Sequence, residues 1–287
     1  MTGQPKRVLV VGGVNFDVIA QADRLPAEHE KLRGKECRVL PGGAASNTAV
    51  GLVRQGCSAR LVSAVGDDAA GAMCLEVLRA KGVDTSLVQV QTGSLTSMAV
   101  VLSSGGGKRM LTFAGADRGL AFDAVTDDDI RGSDHVHVVG EPTPSLARVV
   151  DLAHRAGRSV SVEWNGRDMR SLARGASLNF MNADEAARLP YARGAPDTAG
   201  TALRIAEAVA GDVIVTMGAE GAVWATADGE LIHEPTVPVQ PVDRTGGGDA
   251  FDAGVVAGWL HGESPAACMR RGLDAALHVI KKIGAHP

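Results

Sequence analysis

Val242-Asp243-Arg244-Thr245-Gly246-Gly247-Gly248-Asp249-Ala250-Phe251 joins a polar turn to an apolar helical pattern that runs on through Val255, Val256, Trp259 and Leu260. Glycines at a helix start let a ligand approach the backbone closely. The first N–H groups of such a helix lack partners within it and sit at the positive end of its dipole, so they suit an anion such as a phosphate. Asp249 stands where that anion would bind. A carboxylate there opposes ground-state phosphate binding, but it can take the proton from a hydroxyl that attacks the phosphate. The plain alternative is a glycine turn with an acid in the first helical turn, worth roughly 0.3–1 kcal/mol of dipole stabilisation.

Outward from this stretch, strand-like and helix-like segments alternate. Residues 7–12, 59–65, 135–139, 159–163, 178–181 and 213–217 read as buried strands. Helical patterns cover 46–55, 68–81, 144–156, 182–189, 198–210, 248–261 and 265–283, with Gly56 and Gly82 as stops. This alternation implies an α/β fold with a mostly parallel sheet and helices on both faces. Two stretches break it. Residues 17–40 read as polar and irregular, and 96–113 as a hairpin with its tip at Ser103–Gly107. These two segments suit a small β lid on a single domain spanning 1–287.

The 287 residues are 45% apolar and 22% charged, which suits a soluble protein with a large core. A net charge of −4 and 3% aromatic residues give no electrostatic footprint or stacking platform for nucleic acid. No apolar run approaches the roughly 18 residues that span a membrane. The first residues show no secretory leader pattern, and four dispersed cysteines without a CxxC pair read as reduced thiols, so a cytoplasmic location is expected.

Polar residues recur at the expected strand ends, where open α/β sheets bind ligands. Asn15 and Asp17 follow the first strand. Pro41-Gly42-Gly43-Ala44-Ala45-Ser46-Asn47 puts two glycines and an amide side chain at a helix start, as a ligand contact or simply a capped turn. Glu141 and Asn182 also follow strands. Together these motifs, in this order, resemble the ribokinase-like, or PfkB, family of carbohydrate kinases. Gly42-Gly43 with Asn47 resembles the early sugar-binding signature. Asp243-x-Thr245-Gly246-x-Gly248-Asp249 resembles the late signature with the anion hole and catalytic Asp. Asn182-Ala183-Asp184-Glu185 resembles the NxxE motif, and Thr216 to Gly221 the segment beside the nucleotide.

The resemblance implies a ribokinase-like fold and ATP-dependent phosphorylation of an alcohol group on a small sugar. It implies Asp249 as general base and the backbone of Gly246, Gly247 and Gly248 as anion hole. Asn15, Asp17, Gly42, Gly43, Asn47, Glu141 and Asn165 would bind the acceptor. Asn182, Thr216, Gly218 and Gly221 would face ATP, with Glu185 acting indirectly on Mg2+. Asp243 and Thr245 match one side of the potassium site that many members use. Family members often pair as homodimers through their lids, and the alternating Met98, Val100 and Leu102 suit pairing or covering the substrate.

The chain departs from the family pattern in having Gly247 for a common Ala, Glu163 for the usual Asp, and Arg244 for a common Thr. Arg244 adds a cation that binds a phosphate or points to solvent. A nucleoside kinase of the same family is the alternative reading, with Phe16, Phe113 and Trp164 to stack a base. A non-catalytic sugar- or nucleotide-binding regulator is a third. Gly105-Gly106-Gly107-Lys108 lacks the first Gly and the Ser/Thr of a phosphate-binding P-loop and reads as a hairpin tip. His135 and His137 share a strand face without a third metal ligand, so they read as core or surface histidines. Asp127-Asp128-Asp129 reads as a helix start, and Lys281-Lys282 as a solvated face.

Overall fold

The computed structural model describes residues 4–104, 107–119, 122–282 and 284–285. The chain opens with strands β1 (Arg7–Val11), β2 (Asn15–Ala22) and β3 (Glu36–Gly42), helix α1 (Ala44–Arg54), β4 (Ser58–Gly66), α2 (Ala69–Ala80) and β5 (Asp84–Gln91). A hairpin of β6 (Met98–Ser104) and β7 (Gly107–Phe113) leads to α3 (Asp127–Arg131), β8 (His135–Val139), α4 (Pro144–Arg155), β9 (Ser159–Glu163) and α5 (Arg170–Ala173). Then come β10 (Leu178–Asn182), α6 (Ala183–Arg188), α7 (Thr198–Val209), β11 (Asp212–Thr216), β12 (Ala222–Ala225) and β13 (Leu231–Glu234). Helices α8 (Gly247–Leu260) and α9 (Pro265–Ile280) follow.

Nine strands form one sheet in the order β13-β12-β11-β10-β9-β8-β1-β4-β5, parallel except for the antiparallel β12 and β13. Both faces of this sheet are buried, which is why its strands are almost continuously apolar rather than alternating. Side chains one residue apart point to opposite faces. Accordingly Leu9 and Val11 join a core beneath α3 to α7, while Val8 and Val10 join a second core beneath α1, α2, α8 and α9. Helix ends follow their sequence signals. The Asp68 carboxylate accepts the Gly71 N–H at 2.8 Å to cap α2. Gly56 and Gly82 take positive φ (both 85°) where α1 and α2 stop. Thr126 and Asp129 form a capping box on α3, as expected for the acidic start at 127–129.

His135 and His137 are fully buried core residues. They are linked through the Ser161 hydroxyl at 2.7 and 2.8 Å, and the ring of His135 packs 5.9 Å from that of Trp259. Burial holds their pKa values down to about 3 and about 4, so both stay neutral.

The expectation that 17–40 is irregular is corrected. Strands β2 and β3 occupy most of it and pair antiparallel, with an irregular stretch only between them. With β6 and β7 they form a second, four-stranded sheet in the order β3-β2-β6-β7. This region hides its strands from sequence reading because one face is exposed, so polar residues interrupt the apolar pattern. The hairpin matches expectation, although its tip at 105–106 lies outside the described residues. Strands β5, β12 and β13 have no counterpart in the sequence reading. Strands β5 and β13 are the edges of the large sheet, where partial exposure weakens the apolar run, while β12 is buried throughout but only four residues long. The end of the last expected helix also shifts, since α9 stops at Ile280.

The order of strands reverses at β1. The chain proceeds through β4 and β5 on one side and through β8 to β11 on the other. Loops leaving β1 and β8 therefore diverge and open a crevice beyond the carboxyl ends of the strands.

Candidate active site

A cavity of about 330 Å³ fills that crevice. Its floor comes from strand ends: Gly12, Gly13 and Asn15 after β1, Glu141 after β8, and Asn165 and Arg167 after β9. Gly43 and Ala44 bring in the start of α1, and Met98, Thr112 and Phe113 bring in the small sheet. Asn165 holds φ 46°, a left-handed conformation that Asn tolerates better than most residues, and its N–H donates to Glu163 Oε1 at 2.8 Å. Arg167 Nη2 lies 3.4 Å from Glu141 Oε1.

Of the expected acceptor residues, Asn15, Gly43, Glu141 and Asn165 line this cavity, whereas Asp17, Gly42 and Asn47 do not. Asp17 is buried and lies so close over Gly42 that a Cβ there would collide with its carboxylate. Gly42 is thus demanded by a neighbouring side chain. Asn47 donates from Nδ2 to Asp249 Oδ2 at 2.7 Å. Its Oδ1 is buried with no hydrogen-bond partner among the described residues, a state that costs free energy until a donor arrives.

Asp249 lies in the first turn of α8, behind the three glycines. Desolvation pushes its carboxyl up to about 6; the Asn47 hydrogen bond opposes the rise, and the charges of Asp17 and Glu185 add to it. One helical turn on, the buried Asp252 hydrogen-bonds Glu163 at the end of β9. Desolvation drives both carboxyls upward, Glu163 to about 8, so the pair retains a shared proton near neutral pH.

The three glycines are not equivalent. Gly246 takes φ 77°, and a side chain there would strike Ala285. A Cβ on Gly247 would lie 2.9 Å from Ile280 Cγ2. A Cβ on Gly248 would meet nothing within 4 Å. Nothing in the described fold fills the space over the Cα of the last glycine, so the start of α8 borders open volume at Gly248.

That volume belongs to a second cavity, of about 210 Å³, lined by Thr216, Gly218, Gly221, Gly247 and Gly248 and by the apolar Val237, Val239, Leu277 and Ile280. Asn182 and Glu185 do not line it. They form a capping box on α6: Glu185 N donates to Asn182 Oδ1 at 2.9 Å, and Asn182 N to Glu185 Oε2 at 3.0 Å.

The acids at the strand ends suit a hard divalent cation. Glu163 and Asp249 are both destabilised as anions by the charge of Glu185, and a cation would relieve that repulsion. Among the described residues no three His, Cys, Asp or Glu side chains form a cation cage. Asp243 holds a loop instead: its Oδ1 accepts from Thr245 N (3.0 Å) and Oγ1 (2.7 Å), and its Oδ2 from Gly284 N (3.0 Å). Both oxygens of this carboxylate thus tie the loop before α8 to the C-terminal turn.

Sequence reasoning missed several residues here. Asp252 sits on the same helix face as Asp249, a signal that i+3 spacing offered. Asp117 lines the acceptor cavity and accepts from the Ser97 hydroxyl, but it stands in a short 3-10 turn without any motif. Trp164, expected as a base-stacking residue, is corrected. It is fully buried, with its Nε1 donating to Asn179 Oδ1 at 3.2 Å, because a strand-end residue in a two-faced sheet can point into the core as readily as out of it. Phe16 packs against the core, while Phe113 does reach the cavity.

Comparison with known proteins places this geometry. Residues 5–287 match the family described as pfkB family carbohydrate kinase. An ATP-dependent ribose-1-phosphate kinase of Halopiger xanaduensis is 31% identical over 267 residues, 88% of this chain and 85% of that protein. The ribokinase of Bacillus subtilis is 26% identical, covering 98% and 94%. Among solved structures, Arabidopsis thaliana ribokinase complexed with ribose and ATP superposes with a TM-score of 0.85 at 26% identity, covering 99% of this chain and 95% of that one. The adenosine kinase of Sinorhizobium meliloti superposes at 0.84 with 25% identity, covering 99% and 96%.

Proposed function

The chain belongs to the pfkB family of carbohydrate kinases, and from that premise we propose that it transfers the γ-phosphoryl group of ATP to an alcohol group of a small sugar. The observation that carries this is the position of Asp249. Its carboxylate, held by Asn47 and destabilised by desolvation, lies in the first turn of the helix whose Gly247 and Gly248 line the second cavity.

In this reading the acceptor occupies the larger cavity, with Asn15, Glu141 and Asn165 on its hydroxyls. Asp17, Gly42 and Gly43 shape the wall, and Asn47 acts on the acceptor through the Asp249 carboxylate that it holds. ATP lies along Thr216, Gly218 and Gly221, with Asn182 bounding its phosphate end. Asp249 takes the hydroxyl proton as the alkoxide oxygen bonds to the γ-phosphorus and the bond to the β-phosphate oxygen breaks, leaving ADP. A positioned base of this kind contributes about 10²–10⁴ in rate. The turn of Gly246, Gly247 and Gly248 meets the charge that develops on the transferred group, through amides not already bonded as the Gly247 N–H is to the Arg244 carbonyl. Mg2+, held through water by Glu185, would supply charge neutralisation on the phosphates.

The small sheet acts as a lid that excludes water, which would otherwise compete as acceptor. Its exposed Met110, Leu111 and Phe113 offer the apolar surface on which we place a homodimer, to be tested by molar mass in solution. Phe113 and Phe122 at the acceptor cavity give a nucleoside acceptor its specific support, since either ring can face a base.

The test is ADP release from Mg-ATP against a panel of sugars and nucleosides, in potassium and in sodium salts, for the parent and Asp249→Asn. We expect acceptor-dependent turnover that falls by about 10²–10⁴ in the variant. With the base titrating at about 6, the parental rate rises with pH through that value and then levels, and the variant loses this rise. Nucleotide binding without turnover on any acceptor would favour the regulator reading.

A further inference from the structure

Arg244 interrupts the late signature with a charge, and the phosphotransfer reading leaves it unused. It is exposed and lines the second cavity beside Gly247 and Gly248, but it does not line the acceptor cavity. It is the one charged residue on that lining among the described residues. Its carbonyl accepts the Gly247 N–H at 3.2 Å, so its backbone is fixed in the turn that enters α8. No carboxylate pairs with its guanidinium among the described residues, whereas Arg7, Arg60, Arg167, Arg270 and Arg271 each hold one.

We propose that Arg244 is a nucleotide-binding residue whose guanidinium holds the diphosphate portion common to ATP and ADP. This rests on the reading of the second cavity as the nucleotide site. The argument is one of charge and place. A nucleoside triphosphate brings more negative charge than one divalent cation and a helix dipole of about half a charge neutralise. The cavity is otherwise apolar apart from threonines and backbone, so the remaining compensation falls to Arg244. Its planar fork donates two parallel hydrogen bonds to phosphate oxygens, which a backbone amide cannot do. The transferred group lies at Asp249 and the glycine amides. Arg244 precedes these glycines in the chain and faces the nucleotide side alone, so it meets the phosphates that stay with ADP.

The experiment is calorimetric titration of ADP and AMP, with Mg2+, into the parent, Arg244→Gln and Arg244→Lys, alongside KM for ATP and for the acceptor. Loss of a charged hydrogen-bonding pair predicts ADP binding weaker by about 10- to 100-fold in Arg244→Gln. KM for ATP should rise by a like factor, AMP affinity and acceptor KM should stay within about twofold, and Arg244→Lys should recover part of the loss. ADP affinity within about twofold of the parent overturns the proposal, as does equal weakening of AMP, which marks a merely structural effect. If the parent itself binds no ADP, the nucleotide reading of the cavity fails with it. That outcome is distinct from a parent that binds and a variant that binds equally well. Because the Arg244 side chain makes no hydrogen bond or ion pair among the described residues, unfolding temperatures should coincide and confirm that all three proteins are folded.

Discussion

The two cavities are built by different means. The larger is made of side chains: Asn15, Glu141, Asn165, Arg167 and Asp117, delivered by separate loops and covered by the small sheet. The smaller is made of backbone and aliphatic surface, with glycines at 218, 221, 247 and 248 and, among the described residues, a single cation. A backbone site needs only particular φ values and the absence of Cβ atoms, so it leaves a glycine pattern in the sequence. A side-chain site depends on which groups converge in space, and one sequence does not record that.

The sharpest way to break this contrast is at Gly248. A Cβ there meets no protein atom within 4 Å, so Gly248→Val should fold and yet fill the space over the anion-hole amides. We expect kcat to fall on the order of 10²-fold with little change in unfolding temperature. Gly246→Ala should instead lose stability as well, because φ 77° and Ala285 both reject a side chain. Equal effects at the two positions would mean that Gly248 serves packing rather than ligand.

On the acceptor side, Asn15→Ala should raise the acceptor KM about tenfold, the worth of one or two hydrogen bonds, and leave the KM for ATP unchanged. A change in both constants would show that the two cavities are not independent.

The smallest expected effect concerns the carboxyl pair beneath the site. Glu163, raised from 4.5 to about 8, retains in the folded state a proton that the unfolded chain releases. That stabilisation is complete below pH 4.5 and is lost as pH rises through 8. The double variant Glu163→Gln/Asp252→Asn removes the pair's titration. Its unfolding temperature relative to the parent should therefore climb between about pH 5 and 8, by about 3 °C for each kcal/mol involved, measured without nucleotide or metal.

The glycine turn before Asp249, the early Gly42-Gly43 and the two-faced apolar strands were all legible in order along the chain. Each is a local requirement of backbone or burial. Strands β2 and β3 were not, because a sheet exposed on one face mixes polar residues into the pattern. Asp117 was invisible because no local rule marks it. Trp164 misled because position at a strand end does not say which way a ring turns. Asn182 and Glu185 carried a motif whose local structural content is a capping box, so the same residues satisfy helix geometry and family resemblance at once.

The sequence by itself determined the α/β class, the order of its longer helices and of the six central strands, the family resemblance, and a glycine turn with a carboxylate behind it. These follow from periodicity, helix-end chemistry and glycine placement, which act over a few residues. Only the tertiary structure decided that Asn47 grips Asp249 across 202 positions, and that Gly42 is small because Asp17 lies over it. It also made Arg244 the one charged residue on the lining of the second cavity among the described residues, and it brought Glu163 into a hydrogen bond with Asp252. Those facts depend on distance between segments far apart in the chain, and on the water that their meeting removes.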